Sequence, residues 1–169
     1  MAKRPVPPLE GAGVRLRLLR EEDLPLTLAW RNADCNRRWF LHSEPIAWED
    51  HVAWFEKYRS LDDDFVWVIE QPGVPSPVGQ VSIYNVDPVR RRAECGRVLI
   101  GDLALRGRGL AREAIRTCVA WATGVLALTE VYCVILSDNL PSRGAFASAG
   151  FRLSQDSGQT VQMLFRPEP

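Results

Sequence analysis

The stretch from Val98-Leu99-Ile100 to Arg106-Gly107-Arg108-Gly109-Leu110-Ala111 passes from an apolar run through a small-residue turn into a helical pattern. Downstream, Ala111, Ala114, Ile115, Cys118, Val119, Ala122 and Leu126 recur at three- and four-residue spacing, as on a helix that buries one face. Strand, glycine turn and helix start, in that order, make an anion-binding device. The turn's backbone N–H groups point at the ligand, the glycines leave them uncovered, and the helix dipole adds positive potential. Arg106, Arg108 and Arg112 add charge at the same place. The ligand predicted here carries phosphate; the alternative is a tight turn kept for its geometry alone.

Spacing separates the known phosphate loops. A dinucleotide fingerprint needs G-x-G-x-x-G, but its third glycine falls on Arg112, and no G-K-[ST] follows to make a P-loop. Arg106 to Ala111 instead fits [Q/R]-x-x-G-x-[G/A]. Further on, residues 130–136 read as a buried strand, with Val131, Tyr132, Val134, Ile135 and Leu136. Ser137-Asp138-Asn139 then signals a turn and a helix start, with Pro141 near the first helical position and Gly150 as the stop. Asn139, Ser142, Gly150 and Phe151 fit N-x-x-[AS]-x-x-x-x-x-x-x-G-F. In this order the two motifs resemble those of the GNAT acyl-coenzyme A N-acyltransferases.

That resemblance implies an α/β (α+β) fold: one GNAT-type domain over residues 14–169, built on a mixed central sheet with flanking helices. Its fourth and fifth strands would splay apart to admit acetyl-CoA. The element pattern agrees. Strand 14–18 is followed by a helix over 21–31, opened by Glu21-Glu22-Asp23, and a second over 48–59 with Trp48, Val52, Phe55 and Tyr58 on one side. Strands 65–70, 78–85 and 93–100, the helix after Gly109, strand 130–136, the short helix and a last strand over 159–165 complete the order. Residues 1–13, with Pro5, Pro7 and Pro8, read as a flexible tail. By resemblance the backbone of Val98, Leu99 and Ile100 meets the pantetheine arm, although a buried strand accounts for these residues equally. The same resemblance gives Arg106, Gly107, Arg108, Gly109, Leu110 and Ala111 to the pyrophosphate. Asn139, Ser142 and Phe146 would border the coenzyme on the short helix.

Direct acetyl transfer requires that the amine lose a proton, the thioester carbonyl be polarised and the thiolate be protonated. Many family members place a tyrosine acid seven residues after the asparagine; that position is Phe146. Some place a glutamate base five residues before it; that position is Val134. Glu94, in Ala93-Glu94-Cys95-Gly96, stands twelve residues before Arg106, where other members carry their base. The alternative for Glu94 is an exposed carboxylate paired with Arg90-Arg91-Arg92. Asp138, Ser142 and Ser148 are further candidates, whereas His42 and His51 have no catalytic neighbour in sequence and read as loop or helix-surface residues.

The acceptor is expected between the first two helices. Trp30-Arg31-Asn32, Arg37-Arg38-Trp39-Phe40 and His51-Val52-Ala53-Trp54-Phe55 resemble GNAT members that acetylate amino groups of nucleotide-linked sugars. Aromatics stack on sugar or base, and arginines meet a diphosphate. The candidate acceptor residues are Arg31, Asn32, Arg38, Trp39, Phe40 and Tyr84, with Arg37 and the Arg90 to Arg92 run flanking the mouth. Packed tryptophans and solvated arginines are the plainer account of the same residues. Acetylation of protein N-termini (ribosomal proteins above all), aminoglycoside acetylation and a non-catalytic acyl-CoA-binding module remain open. Phe146 and Val134 keep the last of these alive.

Composition sets the bounds. The 169 residues are the size of one domain with a real core. Lys+Arg and Asp+Glu both number 21, which argues against nucleic acid or a membrane surface as partner. Cys35, Cys95, Cys118 and Cys133 are widely spaced in apolar surroundings and read as small buried hydrophobes of a reducing compartment, so no metal is expected. No apolar run reaches transmembrane length and residues 1–8 lack a signal-peptide core, which places the chain in the cytoplasm by expectation. The expected partners are a small-molecule amine, of which a nucleotide sugar is one form, and a second copy of the chain in a homodimer.

Overall fold

Phe65-Val66-Trp67-Val68-Ile69 is apolar at every position, and a strand so composed must be covered on both faces. In the computed structural model, which describes residues 3–168, this segment is β3 (Phe65–Glu70), all but its last residue buried. Met1, Ala2 and Pro169, the ends of the expected tail and domain, lie outside the described residues. Around β3 lie β1 (Leu9–Gly11), β2 (Val14–Leu18), β4 (Gly79–Asp87), β5 (Arg92–Ile100), β6 (Glu130–Leu136), β7 (Arg152–Asp156) and β8 (Thr160–Phe165). They form one mixed sheet in the order β1-β2-β3-β4-β5-β6-β8-β7. Every neighbouring pair is antiparallel except β5 and β6.

Helices cover both faces. On one, α4 (Leu110–Gly124) sets Trp121 edge-on to Phe65 at 4.9 Å and to Trp67 at 5.2 Å. On the other, α1 (Leu24–Asn32) and α3 (Trp48–Tyr58) bury Leu24, Phe55 and Tyr58 against Val66 and Val68. Between these helices lies the short α2 (Asp34–Arg37). After β6, α5 (Leu140–Ser148) buries Phe146, which meets Phe151 edge-on at 5.0 Å.

Several local expectations are corrected. The tail ends early: β1 pairs with β2, and Arg4 clasps Asp62 through its guanidinium. Two glycines explain this. Gly13 supplies the positive φ of 72° at the hairpin turn, and a Cβ at Gly11 would collide with Thr117 of α4. The helix expected from residue 21 opens as a 3-10 turn (Glu21–Asp23), because Asp23 is drawn inward. Its carboxylate takes the Arg20 N–H at 2.8 Å and the Arg17 guanidinium at 2.9 and 3.0 Å. Trp48, expected on the apolar side of α3, is 47% exposed at the first turn. The extended stretch after Phe151 is a separate strand, β7, in a hairpin with β8.

The feature that makes room for a ligand is the brief meeting of β5 with β6. They pair only at Arg92↔Glu130, Ala93↔Val131 and Glu94↔Tyr132, and then part. Two bulges between β4 and β5 set the divergence. Tyr84 opposes Glu94 but Asp87 opposes Arg92, which leaves an extra residue on β4, and Asn85 there has φ 52°. Gln80 opposes Leu99 but Ser82 opposes Gly96, which leaves an extra residue on β5, and Arg97 there also has φ 52°. Each bulge bends its strand and increases its twist. The expected splaying is present, between the strands labelled β5 and β6.

Candidate active site

A cleft of about 1120 Å³ opens where β5 leaves β6. At the last paired rung stands Glu94, half-buried. Its Oε1 accepts the Tyr84 hydroxyl at 2.8 Å and its Oε2 accepts Asn85 Nδ2 at 3.1 Å. The bulge at Asn85 is what turns that amide onto the carboxylate. Pairing with the neighbouring arginines is not found: Arg90 holds Asp87, Arg92 holds Glu130, and Arg91 donates to Ala127 O. Burial, then the charge of Glu94, pushes the Tyr84 phenol far above its usual range, so it donates and does not ionise. Arg97 lies over the Tyr84 ring at 4.1 Å and is anchored to Asp64 at 2.8 Å.

Along one wall of the cleft run Val98, Leu99 and Ile100, facing Val134 and Leu136 of β6. At its end Gly107 and Gly109 both adopt positive φ, 75° and 79°, and Gly109 is the N-cap of α4. A Cβ at Gly107 would meet nothing within 4 Å, so the space over the loop is open. Gly107, Gly109, Leu110 and Ala111 line the cleft, and Arg108 does not. Backbone amides at a fifteen-residue helix start, with this space above them, fit a pyrophosphate. The arginines contribute differently from expectation. Arg106 spends its guanidinium on Ile100 O, at 3.1 Å, and on Asn36 Oδ1. Arg112 pairs with Glu113 at 3.0 Å. Asn139 caps α5 by accepting the Ser142 N–H at 3.2 Å, and Asn139, Ser142 and Phe146 line the cleft. Gly144, in mid-helix beside them, was not singled out from sequence; a helical glycine flanked by good helix formers was the available signal.

The opposite wall comes from α1, α2 and the chain leading to α3. Arg31 lies over Phe40 at 4.1 Å and donates through Nη2 to His42 O, while its Nη1 is buried with no partner among the described residues. Burial draws its pKa below the usual arginine range. Trp39, Phe40 and Tyr84 share the cleft with it, but Asn32 and Arg38 do not. Asn32 is a structural clasp, its amide exchanging two 2.8 Å hydrogen bonds with Ile46. Arg38 is exposed, its guanidinium 5.0 Å from the Trp39 ring centre. Arg37 is held by Asp34 and Ser43 O, outside the cleft wall. His51, expected on a helix surface, is buried in this wall with Nε2 3.3 Å from Thr27 Oγ1, and burial lowers its pKa. Among the described residues no cluster of His, Cys, Asp and Glu could hold a metal ion.

Comparisons with known proteins meet this geometry. A family model described as the acetyltransferase (GNAT) domain matches residues 14–152. An uncharacterised Methanocaldococcus jannaschii protein, MJ1062, is 26% identical over 144 residues, which are 85% of this chain and 29% of that protein. The chain thus spans less than a third of that curated relative. A solved domain from the same organism superposes with TM-score 0.79 at 23% identity, covering 94% of this chain and all of that one. Spermidine N-acetyltransferase from Vibrio cholerae, in complex with CoA and spermine, superposes with TM-score 0.81 at 18% identity, covering 91% and 95%. The solved structures share the fold. With the splayed strands, the glycine loop at the start of α4 and the asparagine-capped α5 all in place, the chain belongs to the GNAT acetyltransferase family, whose acyl donor is acetyl-CoA.

Proposed function

We propose that the protein acetylates the primary amine of a nucleotide-linked amino sugar by direct attack, with both substrates bound at once. The observation that carries the acceptor is Arg31, a half-buried guanidinium in an aromatic wall whose Nη1 has no partner among the described residues. A buried cationic donor of this kind favours an acceptor that brings its own anion, and the neighbouring rings suit a sugar or base face. Glu94 serves the amine. A carboxylate has about four lone-pair sites, and Tyr84 and Asn85 occupy two of them. The remaining sites receive N–H and then the proton. Acetyl-CoA supplies the electrophilic thioester carbonyl. Phe146 has no proton to give, so water admitted by the open cleft is the acid. Burial pushes Cys133 up to about 12 and holds Cys95 well above the usual thiol range, so both cleft thiols stay protonated and supply no nucleophile. The reading sets this chemistry in the cytoplasm and allows a homodimer, for which the wholly exposed edge strand β7 is the supporting surface.

The test is a matched assay of nucleotide-linked amino sugar, free amino sugar, N-terminal peptide and spermidine. The linked sugar should be turned over best, and Arg31→Ala should raise its KM about 10- to 150-fold, the loss of one charge-assisted hydrogen bond. Glu94→Gln should lower kcat about 100- to 10,000-fold, less as pH rises and free amine accumulates. Preference for peptide or spermidine overturns the acceptor. Coenzyme binding without turnover of any amine leaves a binding module.

A further inference from the structure

Two neighbouring residues of β5 depart from what a strand favours, and both bear on the Tyr84 phenol. Gly96 has no positive φ to account for it and weakens a strand interior, but a Cβ there would stand 2.8 Å from the Tyr84 hydroxyl. Its missing side chain is the space through which the phenol crosses from β4 to Glu94. Arg97 follows with φ 52°, a left-handed conformation that a long side chain adopts only at a cost, and its carbonyl accepts Gln80 Nε2 at 3.1 Å. A bulge re-aims the side chain it carries. Here the guanidinium is aimed over the Tyr84 ring, 4.1 Å from its centre and 6.0 Å from that of Trp54.

That guanidinium is held from behind. Nη1 donates to Asp64 Oδ1 at 2.8 Å, and Asp64, 9% exposed, stands just before β3 with Lys3 Nζ donating to its carbonyl. Strained backbone persists where surrounding contacts over-determine it, and it gathers where a group must be fixed for function. The contacts lead from Asp64 to Arg97, over the Tyr84 ring, and from its hydroxyl to Glu94 Oε1 at 2.8 Å. A cation on the face of a phenol is attracted to the ring and polarises its O–H, which makes the hydroxyl a stronger donor. The same contact stops the ring from swinging. A phenol that swung away would release Oε1, and the carboxylate could then turn its remaining lone pairs from the amine.

We propose that Arg97, anchored by Asp64, is a positioning residue for acetyl transfer: it clamps the Tyr84 phenol and through it keeps the Glu94 carboxylate aimed at the acceptor amine. The clamp rests on Glu94 as the base, but not on which amine is acetylated.

Steady-state kinetics of the full chain, with acetyl-CoA and whichever amine of the matched assay is turned over best, tests the clamp. Arg97→Met and Arg97→Lys carry the same backbone cost, so charge is what distinguishes them. Arg97→Met should lower kcat about tenfold, with acceptor KM and calorimetric CoA Kd each within about threefold of the parent, and Arg97→Lys should recover most of the loss. Tyr84→Phe should itself be about tenfold slower, and adding Arg97→Met to it should cost less than about threefold more, because the hydroxyl through which Arg97 acts is gone. Losses that multiply, or a rise in KM at unchanged kcat, overturn the clamp. Gly96→Ala displaces the hydroxyl and leaves the guanidinium in place. It should lower kcat to about the same extent, and it decides the matter if Arg97→Met does not fold; an unchanged kcat there overturns the clamp. Glu94→Gln, assayed in parallel, separates the two readings. A slow Glu94→Gln beside a full-rate Arg97→Met overturns the clamp alone. A full-rate Glu94→Gln, or a parent that turns over no amine of the assay, overturns the base and the clamp with it.

Discussion

At φ 79° Gly109 holds a conformation that costs an L-residue about 1–2 kcal/mol, and a β-branched one more. A Cβ there would come within 3.1 Å of Arg112 Nη2, a side-chain end free to move, so the penalty lies in the backbone. Gly109→Val should therefore lose about 1–2 kcal/mol in urea denaturation. In calorimetry its CoA affinity should fall about tenfold or more, because the amides of the loop are re-aimed. A folded variant with unchanged affinity would remove the loop from the site. The glycines were legible in the sequence because positive φ at a helix start selects for them. The arginines were not: the motif gives the position of Arg106 but not that its guanidinium turns to Asn36. Charge likewise placed Arg38 in the site, where geometry leaves it outside. Asn32 was read as a ligand contact because an amide beside Arg31 suits either role, and only its two bonds to Ile46 decide between them.

Among the elements, α5 carries a conflict between stability and binding. Gly144 stands in its interior, where glycine costs about 0.5–1 kcal/mol relative to alanine, and a Cβ there would meet nothing within 4 Å. Gly144→Ala should stabilise the ligand-free protein by about that amount in chemical denaturation. It should also weaken CoA binding severalfold, since the methyl enters the cleft that Gly144 lines. Greater stability with unchanged CoA affinity would show that this face of α5 does not border the coenzyme. Element order was legible from apolar runs and hydrophobic period; the unbroken run Val131 to Leu136 marks β6 as a strand, although only Val131, Cys133 and Ile135 are buried, because Val134 and Leu136 face the cleft. The bulges at Asn85 and Arg97 were not, because neither position carries glycine and nothing local marks an extra residue. β4 and β5 are each nine residues long and each carries one extra residue, so the two bulges offset one another in the register.

For the molecule as a whole, the acceptor wall imposes a pH dependence on stability. Burial holds the His51 imidazole below its ordinary 6.5, so as pH falls the unfolded chain takes up the proton first. The contribution is complete above the unfolded value and is lost as pH falls through the folded one. Chemical denaturation at about pH 7 and about pH 5 should show His51→Gln losing less stability than the parent over that interval. Equal losses would place the imidazole in contact with solvent. The layered architecture and the coenzyme half were legible because two motifs fix them. The N-terminal hairpin was hidden by its prolines, and its place depends on contacts with Asp62 and α4 that lie far away in sequence. The three-rung seam between β5 and β6 has a mechanical meaning as well. It is the spine of a book whose leaves are the two parts of the sheet, and Glu94 sits on the last rung of that spine. When such leaves swing, displacement grows with distance from the pivot. The far rim of the cleft travels most, while the carboxylate, at the shortest lever arm, keeps its place.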